Sequence, residues 1–321
     1  MARPNFVLIM TDTQGANVVG AYGHPAVRTP NIDRLADEGI RFDQAFTTAP
    51  VCTPARAGLF TGVYAHGAGA WANNLPLGAN VHTMGQRFRD AGYHTGYIGK
   101  WHLDGYDYFG TGECPDGWDP RYWYDGRNFL EDLSEPERRL WRGGLGSVAA
   151  LRAHGITAEW TWAGRNSEHA IRFLQEAAAR GGTGPDDAPF LLVVSYDEPH
   201  EPFTCPPEWA ERFAGYRHPL GPAARDDLRD KPAHQREWAA GTHDTGGDYH
   251  ENPLYFGCNS FVDGEIGRVI AAVDRHAPGE TYVIYTSDHG DMLGAHGLTF
   301  KGPAMYDEIV RIPLIVRQPG G

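Results

Sequence analysis

The segment Asn5-Phe-Val-Leu-Ile-Met10 carries apolar residues in unbroken succession after its first position and has the length of a strand. A strand without alternation is buried on both faces, the usual condition of strands in a parallel sheet. Further strand patterns occur at Tyr93–Ile98, Phe190–Ser195, Thr281–Thr286 and Ile312–Val316. Helical patterns lie between them. Thr29–Gly39 has a Thr cap, Pro at the first position and a closing Gly. Asn166–Arg180 and the Ile266, Val269, Ile270, Val273 face carry apolar residues at helical spacing. This alternation predicts an α/β fold, a mostly parallel central sheet with helices on both faces. The segments 181–188 and 218–247 read as surface connections, the second long enough to hold a short helix or act as a lid. Tyr106–Phe129 is aromatic and irregular, and reads either as a loop with its own core or as a wall of a substrate site.

The residues just past the first four strand patterns restrict function. These exits read Thr11-Asp12-Thr13-Gln14, Gly99-Lys100-Trp101-His102, Asp197-Glu198-Pro199-His200 and Ser287-Asp288-His289-Gly290-Asp291. Open α/β sheets bind ligands beyond the carboxyl ends of their strands. Here each exit delivers acid–base or metal-ligand side chains to that edge. A net charge of −13 argues against nucleic acid and against an anionic membrane surface as partners. Any anion site must be a local basic pocket on an acidic body. No stretch is long and apolar enough to span a bilayer, no leader is visible before the first strand, and a cytoplasmic location is the expectation. The four cysteines, Cys52, Cys114, Cys205 and Cys258, form no Cys-x-x-Cys pair, which disfavours a zinc ribbon or a thioredoxin-type redox site.

Cys52 opens the pentapeptide Cys52-Thr-Pro-Ala-Arg56, continued by Ala-Gly-Leu-Phe-Thr-Gly62. Thr53 is predicted to cap a helix that has Pro54 in its first turn and runs to about Thr61, stopping at Gly62. Cys52 then sits at a helix N-terminus, where an anion is favoured, and Arg56 reaches back to the same spot. Read alone, this is also how an ordinary buried cysteine before a helix would look.

Cys-x-Pro-x-Arg with a Gly-Leu-Phe-Thr-Gly run resembles the signature of the type I sulfatases, formylglycine-dependent hydrolases of the alkaline phosphatase-like superfamily. The resemblance extends from Arg3 to about Gln318, with motifs in the family's order. It implies one sulfatase-like catalytic α/β domain over residues 1–321, lacking most or all of the family's C-terminal subdomain, and an exposed apolar patch where that part would pack. It implies that Cys52 is oxidised by a maturase to formylglycine, whose hydrate attacks a sulfate ester. Asp12, Cys52, Asp288 and His289 then match metal-site positions, with calcium expected first and magnesium or manganese as alternatives. Thr13 stands where the common motif has a further aspartate; its hydroxyl, Gln14 or a water would fill that place. Arg56, Lys100, His102, His200 and Lys301 match catalytic positions. Lys100 and Lys301 would bind sulfate, His102 would act as base and His200 as acid, with Arg56 helping to activate the nucleophile. Trp101 is read as packing and His296 as an orienting residue. The expected substrate is a small sulfated ester. A phosphonate monoester or phosphodiester substrate is the alternative, and a non-catalytic anion binder a further one. A separate C-terminal fragment or a homo-oligomer is left open.

Overall fold

The computed structural model describes residues 3–180, 188–242 and 247–320. Seven strands form the main sheet: β1 (Asn5–Thr11), β2 (Ile40–Arg41), β3 (His94–Gly99), β4 (Trp123–Tyr124), β5 (Phe190–Ser195), β6 (Thr281–Ser287) and β7 (Leu314–Arg317). Their spatial order is β2-β7-β6-β1-β5-β3-β4. The first predicted strand is the centre of the sheet and pairs in parallel with β5 and β6, while β3 pairs in parallel with β5 and β4. The last predicted strand, β7, runs antiparallel to both β6 and β2, so the sheet is mixed at one edge. An apolar run does not carry its own direction.

Side chains alternate across β1. Val7 and Ile9 join Leu192, Val194, Val283 and Tyr285 in a core covered by α1 (Pro30–Asp37), α4 (Trp162–Ala179) and α6 (Pro253–His276). Leu8 and Met10 point the other way, with Leu191, Val193 and Tyr97, beneath α2 (Cys52–Thr61) and α3 (Met84–Asp90). Both faces are thus covered around β1, as its unbroken apolar run requires.

Cover on that second face fails toward β2. Register aligns Leu8 with Ile284, Ile284 with Val316 and Val316 with Ile40. Leu8 is buried, Ile284 and Val316 are half-buried, and Ile40 is 55% exposed. Phe42 and Phe46 are also exposed.

The predicted helix boundaries shift in two places. The helix α4 begins at Trp162, capped by Thr161, four residues before the apolar pattern suggested. The helix α2 begins at Cys52 itself and ends at Gly62 in a left-handed conformation. Thr53 is not its cap. The Thr53 hydroxyl donates instead to the carbonyl of His102, 2.9 Å away. The 218–247 connection holds a short helix, α5 (Ala233–Ala240), and residues 243–246 lie outside the described residues, as does most of the 181–188 connection. Among the described residues no helix is long and apolar enough to cross a membrane.

Candidate active site

Strand register assembles the site. Thr11 pairs with Ser287, so Asp12 and Asp288, one residue on, emerge side by side. Gly99 pairs with Ser195, which brings Lys100 and Asp197 to the same edge. Gly99 has φ of +106°, and a Cβ there would lie 1.9 Å from the Ser195 carbonyl oxygen, so the close approach requires glycine. Cys52, the first residue of α2, faces this edge.

Ligand atoms of Asp12, Cys52, Asp288 and His289 all lie within 4.8 Å of one another, and all four residues are buried. The His289 Nδ1–H donates to the Gly290 carbonyl at 2.8 Å, which leaves Nε2 facing Cys52 Sγ at 3.2 Å. A ring held through Nδ1 with Nε2 aimed at two carboxylates has the geometry of a metal-ligating histidine. Burial and Asp12 push the Asp288 carboxyl up to about 7, a crowding of negative charge that a cation relieves. The donor set therefore fits a divalent ion. Thr13 stands beside it: its hydroxyl donates to Asp12 Oδ1 at 2.6 Å and its backbone N–H lies 3.3 Å from Asp288 Oδ1. Gln14 does not fill the vacant aspartate position, because its side chain is tied to Asn259 and Tyr285.

Arg56 is fully buried and almost fully used. Its Nε donates to Asp288 at 2.9 Å, Nη2 to Asp12 at 3.0 Å, and Nη1 to the Lys100 carbonyl and the Ser195 hydroxyl at 2.6 and 2.9 Å. The guanidinium braces the two carboxylates; its hydrogen bonds are committed to them and to the sheet edge, not to an incoming anion.

Positive charge faces the cluster from the other side. Lys100 Nζ lies 2.7 Å from Asp12 and 3.9 Å from Cys52 Sγ. Burial and Asp12 would raise the Cys52 thiol, but Lys100, Lys301 and His289 outweigh them and hold it well below its ordinary value. Burial would likewise raise Asp12, yet Lys100, His200, His289 and Lys301 hold it well below the carboxylate range. This is the local basic pocket that an acidic chain needs to receive an anion.

Two histidines flank the pocket. The His102 Nε2 meets Asn74 Oδ1 at 2.8 Å, and Nδ1 is buried with no hydrogen-bond partner among the described residues. Burial depresses His102, so it is neutral and able to accept a proton. The His200 Nδ1–H donates to the Glu201 carbonyl at 2.7 Å, leaving Nε2 to face a ligand. His296 is engaged elsewhere, 2.7 Å from Asp226 and stacked on Tyr306. Trp101 packs in the core with Phe60 and Tyr97.

Four participants carried no assigned role in the sequence. Asn73 accepts from the Thr53 N–H at 3.0 Å, and Asn74 holds His102. Asp197 pairs with Lys100 at 3.2 Å, and Tyr108 bonds to Asp197 while its ring lies 5.1 Å from the His200 ring. Asp197 was visible as part of a polar strand exit. Tyr108 was visible only as one aromatic among many. The 106–129 stretch proves to be both things at once: Trp118 and Trp123 pack around Tyr97, and Tyr108 enters the site.

The family model described as Sulfatase matches residues 4–321. A relative from Escherichia coli, described as an uncharacterized sulfatase YidJ, is 58% identical over 324 residues, covering 100% of this chain and 64% of that protein. An ulvan-active sulfatase of Formosa agariphila is 30% identical over 335 residues, covering 99% of this chain and 57% of that protein. The chain thus spans less than two thirds of the length of either relative. Among solved structures, the phosphonate monoester hydrolase of Agrobacterium radiobacter shares the fold, with a TM-score of 0.73 at 24% identity over 99% of this chain and 68% of that one. A putative sulfatase, yidJ, from Bacteroides fragilis has a TM-score of 0.69 at 27% identity, covering 99% of this chain and 70% of that one.

Proposed function

Because the chain belongs to the sulfatase family, we propose that it hydrolyses sulfate esters, with residue 52 as the nucleophile once a maturase has oxidised its thiol to formylglycine. The observation that carries this reading is the placement of Cys52 at the first turn of α2, inside a buried cluster with Asp12, Asp288 and His289 and against Lys100.

A divalent cation held by Asp12, Asp288, His289 and residue 52, calcium first and magnesium or manganese next, would supply positive charge to the reacting oxygens. Oxidised and hydrated, residue 52 would supply one oxygen to attack sulfur and a second hydroxyl through which sulfate is later expelled. The rest is the work of side chains in place. Arg56 holds Asp12 and Asp288 at fixed separation and offsets part of their mutual repulsion. Lys100 and Lys301 neutralise the sulfate oxygens, an electrostatic arrangement built before substrate arrives. Asp288 would take the proton of the attacking hydroxyl, and His200, with Nδ1–H held on the Glu201 carbonyl and a second proton on Nε2, would give that second proton to the leaving alcohol oxygen. His102, neutral, takes the proton of the second hydroxyl at Nδ1.

His289 favours a second reading. It brings an imidazole to a cluster that an all-oxygen donor set would make a plain calcium site, which keeps a phosphonate monoester or phosphodiester substrate in play.

The test is the mass of the tryptic peptide Phe42–Arg56 from protein made beside a maturase, and then turnover of matched sulfate and phosphonate esters of one alcohol. A peptide lighter by the thiol-to-aldehyde change, trapped by a hydrazine, with faster turnover of the sulfate ester, is the expected result. Faster turnover of the phosphonate selects the second reading. A cysteine that stays unmodified leaves only an anion binder.

A further inference from the structure

We propose that Cys205 and Cys258 are a disulfide-forming pair, a modification site that clasps the segment bearing His200 to α6; it stands without the sulfate-ester reading. Both residues are fully buried in the core covered by α4 and α6, and both are free thiols. The Cys258 Sγ lies against the Cys205 thiol and 3.7 Å from the carbonyl of Thr204, the residue before it. The two are far apart in the chain, so the fold alone brings them together.

The backbone around both cysteines is held at close range. Cys205 leads into the helical turn Pro207–Glu211, which lies on α6. A Cβ on Gly257 would stand 2.4 Å from the Ala210 Cα, so the residue next to Cys258 must be glycine for the turn to seat. Trp209 meets Phe261 edge-on, with ring centres 6.0 Å apart. Both partners also serve the site. On the segment, the Phe203 N–H donates to the His200 carbonyl at 3.1 Å. On α6, the Tyr255 hydroxyl donates to the Thr13 carbonyl at 2.9 Å, and the Asn259 amide donates to the Val18 carbonyl at 3.1 Å. A bond between Cys205 and Cys258 therefore joins the segment carrying His200 to the helix that holds the loop after Asp12.

Neither sulfur belongs to the donor cluster around Cys52. With both backbones seated and the thiols already touching, an S–S bond replaces two S–H groups without moving the segment off α6. Burial and Cys205 push the Cys258 thiol well above its ordinary value, so in the folded protein it stays protonated and attacks slowly. Oxidation therefore belongs to folding, before the core closes, with a small external disulfide such as oxidised glutathione as the oxidant. One cysteine thiolate attacks that disulfide, forming a mixed disulfide and releasing one thiol. The other cysteine attacks the mixed disulfide and releases the second. Two electrons and both cysteine protons end on the two released thiols. Once the core has closed, a reducing thiolate has no path to the bond.

The experiment refolds the chain from urea in a mixture of reduced and oxidised glutathione. In parallel, folded protein is held in the same mixture just below its thermal midpoint, where local opening exposes the pair. Free thiols are then alkylated and the tryptic peptides weighed. The peptides Gly181–Arg212 and Glu237–Arg268 should appear joined and lighter by two hydrogens than their sum, with Cys52 and Cys114 outside the link. The oxidised protein should melt about 5 °C above the reduced one. Reductant without denaturant should leave the bond intact for hours. Cys205→Ala and Cys258→Ala should each abolish the difference between oxidised and reduced protein, a comparison in which the cost of the substitution itself cancels. Alkylated Cys205 and Cys258 after both treatments, a different pairing, or a joined pair that melts no higher than the dithiol overturns the proposal. The readouts are masses and melting midpoints, so they leave the sulfate-ester reading to its own test.

Discussion

The ammonium of Lys100 lies 4.1 Å from the centre of the Tyr108 ring, whose hydroxyl bonds to the same Asp197 carboxylate that pairs with Lys100. Tyr108 thereby holds Lys100, the lysine set against Cys52, by its ring and by the lysine's counter-ion. Tyr108→Phe keeps the ring and loses the hydrogen bond, which predicts a fall in kcat/KM of about fivefold. Tyr108→Leu loses both and should cost about 10- to 100-fold. Steady-state kinetics of the matured protein on a sulfate ester decide this; Tyr108→Leu at wild-type rates would remove the residue from the site.

Arg56 is the common partner of two buried carboxylates. Arg56→Ala leaves Asp12 and Asp288 without that partner and should destabilise the fold by about 3–5 kcal/mol. Arg56→Lys keeps a charge but not the fork that reaches both, so it should recover only part. Urea unfolding of the three proteins measures the difference, and equal midpoints for wild type and Arg56→Ala would refute the bracing role.

Metal removal should be visible without any assay of activity. A cation that binds only the folded chain raises stability by about 2.7 kcal/mol at a hundredfold excess over its Kd. Chelation should lower the thermal midpoint and calcium should restore it. His289→Ala should shrink that recovery. A midpoint indifferent to every divalent cation tried contradicts the metal site.

Glu198 sets a pH dependence. It is buried, one carboxylate oxygen accepts from the Ala163 N–H at 3.0 Å and the other has no partner among the described residues. Burial and Asp197 push its carboxyl up to about 8 from an ordinary 4.5. The folded chain then holds a proton that the unfolded chain releases between those values. The contribution is fully present below about 4.5 and is lost as pH rises through about 8. Glu198→Gln should flatten that decline, giving a higher thermal midpoint than wild type at pH 8 and a similar one near pH 4.5. Parallel profiles for the two proteins would be the contrary result.

Sequence pattern made the strand exits legible because a parallel sheet sends every exit to one edge: Asp12, Lys100, His200 and Asp288 needed only that rule. It also placed the stop of α2 at Gly62. What it could not supply was pairing across distance. Thr53 has every local mark of a cap, and the carbonyl that takes its hydroxyl belongs to His102. Arg56 is four residues from Cys52, but its donors are spent on strand ends far along the chain. Tyr108, Asn73 and Asn74 sit in irregular segments with no periodicity, so nothing local distinguishes them from loop filler. The direction of β7 depends on its neighbours β6 and β2, not on its own residues.

The burial of Cys52 constrains timing. At 1% exposure the thiol is closed to any enzyme once the chain is folded. Yet β1, the strand under it, pairs with residues 191–195 and 281–287, which a ribosome makes long after residue 52. At about 5–20 residues per second, the central sheet cannot close for roughly 10 to 50 s after Cys52 is synthesised. Any enzymatic maturation of that cysteine must precede the closing of the sheet beneath it. The same topology that brings the site together from distant strands keeps Cys52 accessible until the last of them arrives.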